Sequence, residues 1–184
     1  MSRVLAALGA RDADDVVLRD AAGAVSASML RTRIERVATA LSMLPPGPIA
    51  SRLDNGIDWV VLDLALRRTA RAHVALPPFF NAAQVEHALE AAVAVAMPAM
   101  PGAPRVVAGT DFCWISREAA PLPVPPGTAL LTYTSGSTGM PKGVCLDASL
   151  PEAVAGSLVD AMRPLAVRRH LCLLPLGVLL EAIG

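Results

Sequence analysis

The chain has 184 residues, 54% of them hydrophobic and 17% charged, with a mean hydropathy of +0.50; that is ample apolar material for a buried core and excludes a disordered chain. Sixteen Lys and Arg balance sixteen Asp and Glu and the isoelectric point is near 6.8. There is no electrostatic footprint for nucleic acid or an anionic membrane, so any bound anion must be held locally.

The first ten residues carry one Arg and a short apolar run, and Asp12, Asp14 and Asp15 follow at once, which argues against a signal peptide. No apolar run reaches the ~20 residues that span a bilayer, because Pro98 and Pro175 interrupt the two candidates. Cys113, Cys145 and Cys172 lack the CxxC spacing of a zinc or redox site and are expected as buried small hydrophobes in a reducing cytoplasm.

Residues 16–19 and 25–26, on either side of Ala21-Ala22-Gly23, predict a small hairpin. Ser28 is expected to cap a helix whose apolar face is Leu30, Ile34, Val37, Ala38 and Leu41, packed on a sheet and ended by Pro45-Pro46-Gly47. A strand over 49–53, a turn at Asp54-Asn55-Gly56, a helix capped by Asp58 and a strand over 73–76 then form a strand–helix–strand unit. Such a unit implies a parallel pair with a right-handed crossover. Asn81 with Gln84 opens the next helix as a capping box does, and residues 93–97 supply the strand after it. The alternation defines an α/β class, with a mixed, largely parallel sheet flanked by helices.

Prolines dominate residues 98–127, which read as a stiffened connection crossing an edge of the sheet inside one domain. A buried strand at 130–132, a glycine-rich loop, a strand at 144–146, a helix from Ser149 with Glu152 in its first turn, and a strand at 171–174 follow. Residues 179–184 resemble a helix just begun. Stopping there would leave carbonyls and an apolar face uncovered, so the expectation is the N-terminal part of a longer domain.

The segment that carries chemistry is Thr132-Tyr133-Thr134-Ser135-Gly136-Ser137-Thr138-Gly139-Met140-Pro141-Lys142-Gly143-Val144. Gly136, Gly139 and Gly143 allow positive φ and close backbone approach, so successive N–H groups can converge on one anion. The hydroxyls of Thr134, Ser135, Ser137 and Thr138 add donors, and Lys142 adds a mobile charge. Together they predict a polyphosphate cradle. The Gly-Lys-Ser/Thr ending of a Walker A loop is absent, because Lys142 stands between Pro141 and Gly143.

Residue for residue, this segment resembles the signature loop of the adenylate-forming superfamily, which includes acyl-CoA synthetases, adenylation domains of nonribosomal peptide synthetases, and luciferases. The likeness extends more weakly over residues 26–41, 72–78 and 173–176. It implies an ATP-dependent, AMP-forming acid–thiol ligase: a carboxylic acid and Mg-ATP give an acyl-adenylate and pyrophosphate, and the acyl group passes to CoA or an acyl-carrier protein. Thr134, Ser135, Gly136, Ser137, Thr138, Gly139, Lys142 and Gly143 would contact the ATP phosphates; no general base is assigned, since a carboxylate is already the nucleophile. The resemblance also implies that the Mg²⁺ ligand, the adenine pocket and the catalytic Lys of a small C-terminal domain lie downstream of the loop. The competing expectations are a catalytically inactive nucleotide- or partner-binding remnant, and an unrelated phosphate-binding α/β domain. Asp147-Ala148 and Val178 stand where many members carry histidines that shape the acyl or phosphate pocket, and His73, His87 and His170 read as structural or surface residues.

Overall fold

In the computed structural model, described over residues 2–100, 106–134 and 141–178, helix α1 (Arg3–Gly9) leads into an antiparallel hairpin of β1 (Val16–Asp20) and β2 (Gly23–Ser26). Asp20 Oδ1 closes the turn, accepting from the N–H of Ala22 at 2.9 Å and of Gly23 at 3.2 Å. Helix α2 (Ala27–Leu41) follows directly, and its cap is Ser26, not Ser28. Ser26 keeps the extended backbone of β2 while its Oγ accepts from Met29 N–H at 3.3 Å. The helix stops short of Pro45; Arg71 donates to its last carbonyl, Leu41 O, at 2.8 Å and to Gly47 O in the following turn at 2.9 Å.

The main sheet has the order β6-β5-β3-β4-β7-β8. Its centre is parallel: β5 (Ala94–Pro98), β3 (Ile49–Ser51), β4 (His73–Ala75) and β7 (Thr128–Thr134). Both edges are antiparallel, β6 (Phe112–Ser116) on β5 and β8 (Lys142–Asp147) on β7. Helix α3 (Ile57–Arg68) makes the expected crossover between β3 and β4. Its N-terminus is capped from outside: Asp20 Oδ2 accepts from Ile57 N–H at 3.0 Å, whereas Asp58 sits inside the first turn and accepts from Asp111 N–H at 2.6 Å. Helix α4 (Ala82–Leu89) starts with the predicted capping box, Asn81 accepting from Gln84 N–H at 3.0 Å and Gln84 from Asn81 N–H at 3.1 Å.

Within the proline-rich stretch lies β6, which the composition concealed. Phe112 is fully buried there and meets Trp114 edge to face, ring centroids 5.2 Å apart. Residues 171–174 form no strand. Asn55 holds the end of the segment, donating to Leu174 O at 2.7 Å and accepting from Leu176 N–H at 2.8 Å. Helix α5 (Ser149–Met162) ends the regular structure with a 3-10 turn at Arg163–Leu165. The residues expected as a final helix, 179–184, lie outside those described. Of the three cysteines only Cys113 is buried; Cys145 is exposed because β8 is an edge, and Cys172 is half-buried.

Strand alternation sends Ile49, Ala94 and Ala96 to the face covered by α3, and Ala50, Val74, Val95 and Leu131 to the face covered by α4. Helix α2 packs chiefly on α3, a layer further out than predicted. Sandwiched between α2 and the sheet, α3 buries eight of its residues, Asp63 among them. That carboxylate is met by Arg67 Nε at 2.6 Å and by His73 Nδ1 at 2.8 Å, and the His73 Nε2 lies 2.7 Å from Ser51 Oγ. Asp63 only accepts, so Nδ1 carries a proton; with His73 neutral, Ser51 donates to Nε2. Trp59 covers the His73 ring at 5.0 Å. Burial alone would push the Asp63 carboxyl up, but the bond from His73 and the charge of Arg67 outweigh it and hold it below the ordinary value.

Asp63→Ala strands two buried donors and should cost about 3–5 kcal/mol in a denaturant titration. Because the folded carboxyl is depressed, its contribution is present above the unfolded value of 3.8 and fades as pH falls through the folded value below it. The stability gap between wild type and Asp63→Ala should therefore narrow below pH ~4. A gap unchanged down to pH ~2 is the contrary result.

Candidate functional site

The glycine-rich loop is carried by the β7–β8 hairpin. Strand β7 runs parallel to β4, so Thr134 leaves the sheet at the carboxyl end of the parallel strands, where open α/β sheets take ligands. Lys142 returns directly opposite, paired with Thr134, and Gly143 is paired with Tyr133. A hydroxyl and an ammonium group therefore stand on adjacent strands at the mouth of the loop, both exposed. Lys142 makes no ion pair with any described residue and is available to an anion.

Ser135, Gly136, Ser137, Thr138 and Gly139 lie outside the described residues. Gly143 does not take the positive φ expected of it, because it is held in the β7–β8 ladder. A Cβ there would approach Leu131 Cδ1 to 3.4 Å and Tyr133 Cε1 to 3.5 Å, ordinary contacts that do not themselves demand glycine.

Tyr133 is a residue the sequence displayed but to which it gave no role. Its ring meets Phe80 edge to face at 5.8 Å and its hydroxyl donates to Ala88 O at 3.0 Å, anchoring the root of the loop on α4. Burial pushes the phenol up to about 12, so it remains a donor. At the other end of β8, Asp147 accepts from Ser149 N–H at 2.7 Å and from Ser149 Oγ at 2.5 Å. Those two bonds hold its carboxyl below the ordinary value and start α5, where Ala148 has no side chain to cap with. His73 is committed to Asp63, His87 lies 3.6 Å from Glu90, and His170 is exposed.

Thr134 and Lys142 fit a phosphate group in chemistry and position. Among the described residues no group of three His, Cys, Asp or Glu could hold a metal ion, so they do not provide a Mg²⁺ site. No helix of the described residues is long and apolar enough to cross a membrane.

The arrangement is that of an α/β domain with a glycine-rich segment between two antiparallel strands at the carboxyl end of parallel strands. The model of the AMP-binding enzyme family matches residues 5–183, and the chain belongs to that family. A PKS-NRPS hybrid synthetase, psoA, from Aspergillus fumigatus is 30% identical over 145 residues, which are 71% of this chain and 3% of that protein. Among solved structures, amide bond synthetase McbA from Marinactinospora thermotolerans superposes with a TM-score of 0.70 at 21% identity, over 100% of this chain and 42% of that one. O-succinylbenzoate coenzyme A synthetase (MenE) from Bacillus subtilis, in complex with AMP, gives 0.70 at 18% identity, over 100% and 52%. ATP-bound MatB from Rhodopseudomonas palustris gives 0.64 at 24%, over 89% and 38%. The chain thus spans about half, or less, of the solved enzymes it resembles and a small fraction of the curated relative. The adenylate-forming fold is confirmed.

Tyr133→Phe removes one donor and leaves the Ala88 carbonyl without it, which should cost about 1 kcal/mol in a denaturant titration. Amide exchange should quicken at residues 131–134 in the same variant. Unchanged stability and exchange would mean that the hydroxyl does not anchor the hairpin.

Proposed function

We propose that the β7–β8 hairpin binds the polyphosphate of ATP, and that the polypeptide carrying it is an acid-activating ligase. Its reaction would join a carboxylate to ATP as an acyl-adenylate with loss of pyrophosphate, then transfer the acyl group to the thiol of CoA or a carrier protein. The observation that carries this reading is the pairing of Thr134 with Lys142 across the mouth of the loop, in a chain of the AMP-binding family.

In this reading Lys142 neutralises charge on the β- and γ-phosphates, and the hydroxyls of Thr134, Ser135, Ser137 and Thr138 with the N–H groups of Gly136, Gly139 and Gly143 fix their orientation. This is catalysis by positioning and preorganised charge. A carboxylate needs no base to become a nucleophile, which is why none is assigned. Mg²⁺ would add charge neutralisation when bound, but the described residues offer no cluster for it and no step is assigned through it. Family membership supports the ligase class, and the AMP and ATP complexes of the two synthetases support the nucleotide. Action in the cytoplasm fits this chemistry.

A second reading, favoured by the 42% and 52% spans of the solved enzymes, is that these 184 residues bind nucleotide without turning it over. Binding and exchange separate the two. The chain should bind ATP in calorimetry, with Lys142→Ala weakening it about tenfold or more, yet should give no ATP–pyrophosphate exchange with fatty, aryl or amino acids. Absence of ATP binding would remove the hairpin's proposed role. Exchange above a protein-free blank, lost in Lys142→Ala, would show that this length suffices for chemistry.

A further inference from the structure

A cavity runs along the face of the sheet covered by α4, on the opposite side of β4 from the loop, from the carboxyl ends of β3 and β4 toward the amino end of β5. Its position follows from the topology. The chain leaves β3 toward α3 on one face and leaves the neighbouring β4 toward α4 on the other, so the two connections part between these strands. A crevice outside the carboxyl ends at such a parting is where open α/β sheets bind small molecules. Arg52, the residue after β3, and Leu76, the residue after β4, line the cavity at that end, and Ser116, Arg117 and Glu118 line it at the opposite, amino end of β5; it holds about 490 Å³. That size suits a small organic ligand.

The lining is uneven in chemistry. Val95, Met97 and Ile115 form an apolar floor on the face shared by β5 and β6, and Leu89 of α4 forms the wall. Two arginines and two glutamates line the space, with Glu118 next to Arg117 at the end opposite Arg52. Arg117 is paired with Glu86 at 3.7 Å. Arg52 is not: its backbone N–H bonds Ala96 O at 2.9 Å and fixes its root, while its side chain has no hydrogen-bond or ion-pair partner among the described residues. A lone guanidinium at the end of an apolar trough matches a ligand with a planar anionic head and an apolar body, because the fork of donors takes a carboxylate through two parallel bonds.

We propose that this cavity binds a small carboxylate with an apolar body, its head on Arg52 and its body on Val95, Met97 and Ile115. The site is distinct from the phosphate loop and shares none of its residues. A ligand here would bridge β3, β5 and β6, tying the antiparallel edge to the parallel core.

The test uses the full chain with ¹³C-methyl-labelled Met and Ile, titrated with 4-phenylbutyrate and, in parallel, with uncharged 4-phenylbutyramide. The acid should shift the Met97 and Ile115 methyls in a saturable way, at least about tenfold more tightly than the amide. Arg52→Gln should abolish that preference, and Val95→Trp, which fills the floor, should abolish both responses. Lys142→Ala should leave them unchanged. Arg52 is exposed, so its replacement leaves the fold intact. Equal binding of acid and amide, a preference that survives Arg52→Gln, or shifts confined to methyls outside the cavity would each overturn the proposal.

Discussion

Asp63 on α3 is ionised, buried and met by two donors, and the placement of the functional end of the sheet rests on it. Helix α3 has to be apolar nearly all round because α2 covers one side and the sheet the other, and a carboxylate in such a helix is tolerated only when fully paired. Arg67 neutralises it within the helix; His73 and Ser51 extend the network into β4 and β3. The result is a polar pin through an apolar layer. It fixes α3 over two neighbouring strands, and β4 in turn sets β7 through the pairs His73 with Leu130 and Val74 with Leu131. Since β7 delivers Thr134 to the carboxyl end, the position of the loop depends on a buried contact far from any phosphate.

Net neutrality shapes the site as well. With no general positive field to attract an anion, affinity has to come from groups close to it, and Lys142 is exposed, where its charge is screened within about 8–10 Å at ordinary ionic strength. The rigid parts of the hairpin matter accordingly. Tyr133 ties the outgoing strand to α4, and Asp147 ties the returning strand to α5, so the two ends of the loop are held although its tip is rich in glycine.

Much of this architecture was legible because it is written locally. The capping box at Asn81 and Gln84 and the β3–α3–β4 unit follow from residues within one or two turns of each other, and the loop announces itself as a contiguous motif. What escaped is tertiary. Asp20 caps α3 from a different hairpin, 37 positions away in sequence, and Arg71 closes α2 across 30 positions. Neither leaves a local mark. Strand β6 was hidden by the prolines around it, and the alternation of Phe112 and Trp114 was too short to outweigh them. Residues 171–174 show the opposite error: an apolar run of strand composition that stays outside the sheet and is held at Leu174 by Asn55. Thr134 and Lys142 are named by the sequence motif itself, whereas the anchoring of Tyr133 required the position of α4.

The far side of the hairpin is governed by a different balance. Helix α5 buries only Pro151, although Leu150, Val154, Leu158 and Met162 recur at every fourth position and make one apolar stripe, each side chain at least 38% exposed. Such periodicity belongs to a helix that packs against something. Each of these side chains would contribute roughly 1.5–3 kcal/mol if fully covered. The solved enzymes extend well beyond the span matched here, and β8, from which α5 departs, is an edge of the sheet. Among the described residues, the strand that brings Lys142 back from the loop is bonded on one side only. Any polypeptide laid over α5 and β8 would stiffen the returning arm of the glycine-rich loop. Anchoring by Tyr133 is complete without it, so the outgoing arm is set by β4 and α4 while the position of Lys142 remains sensitive to what covers α5.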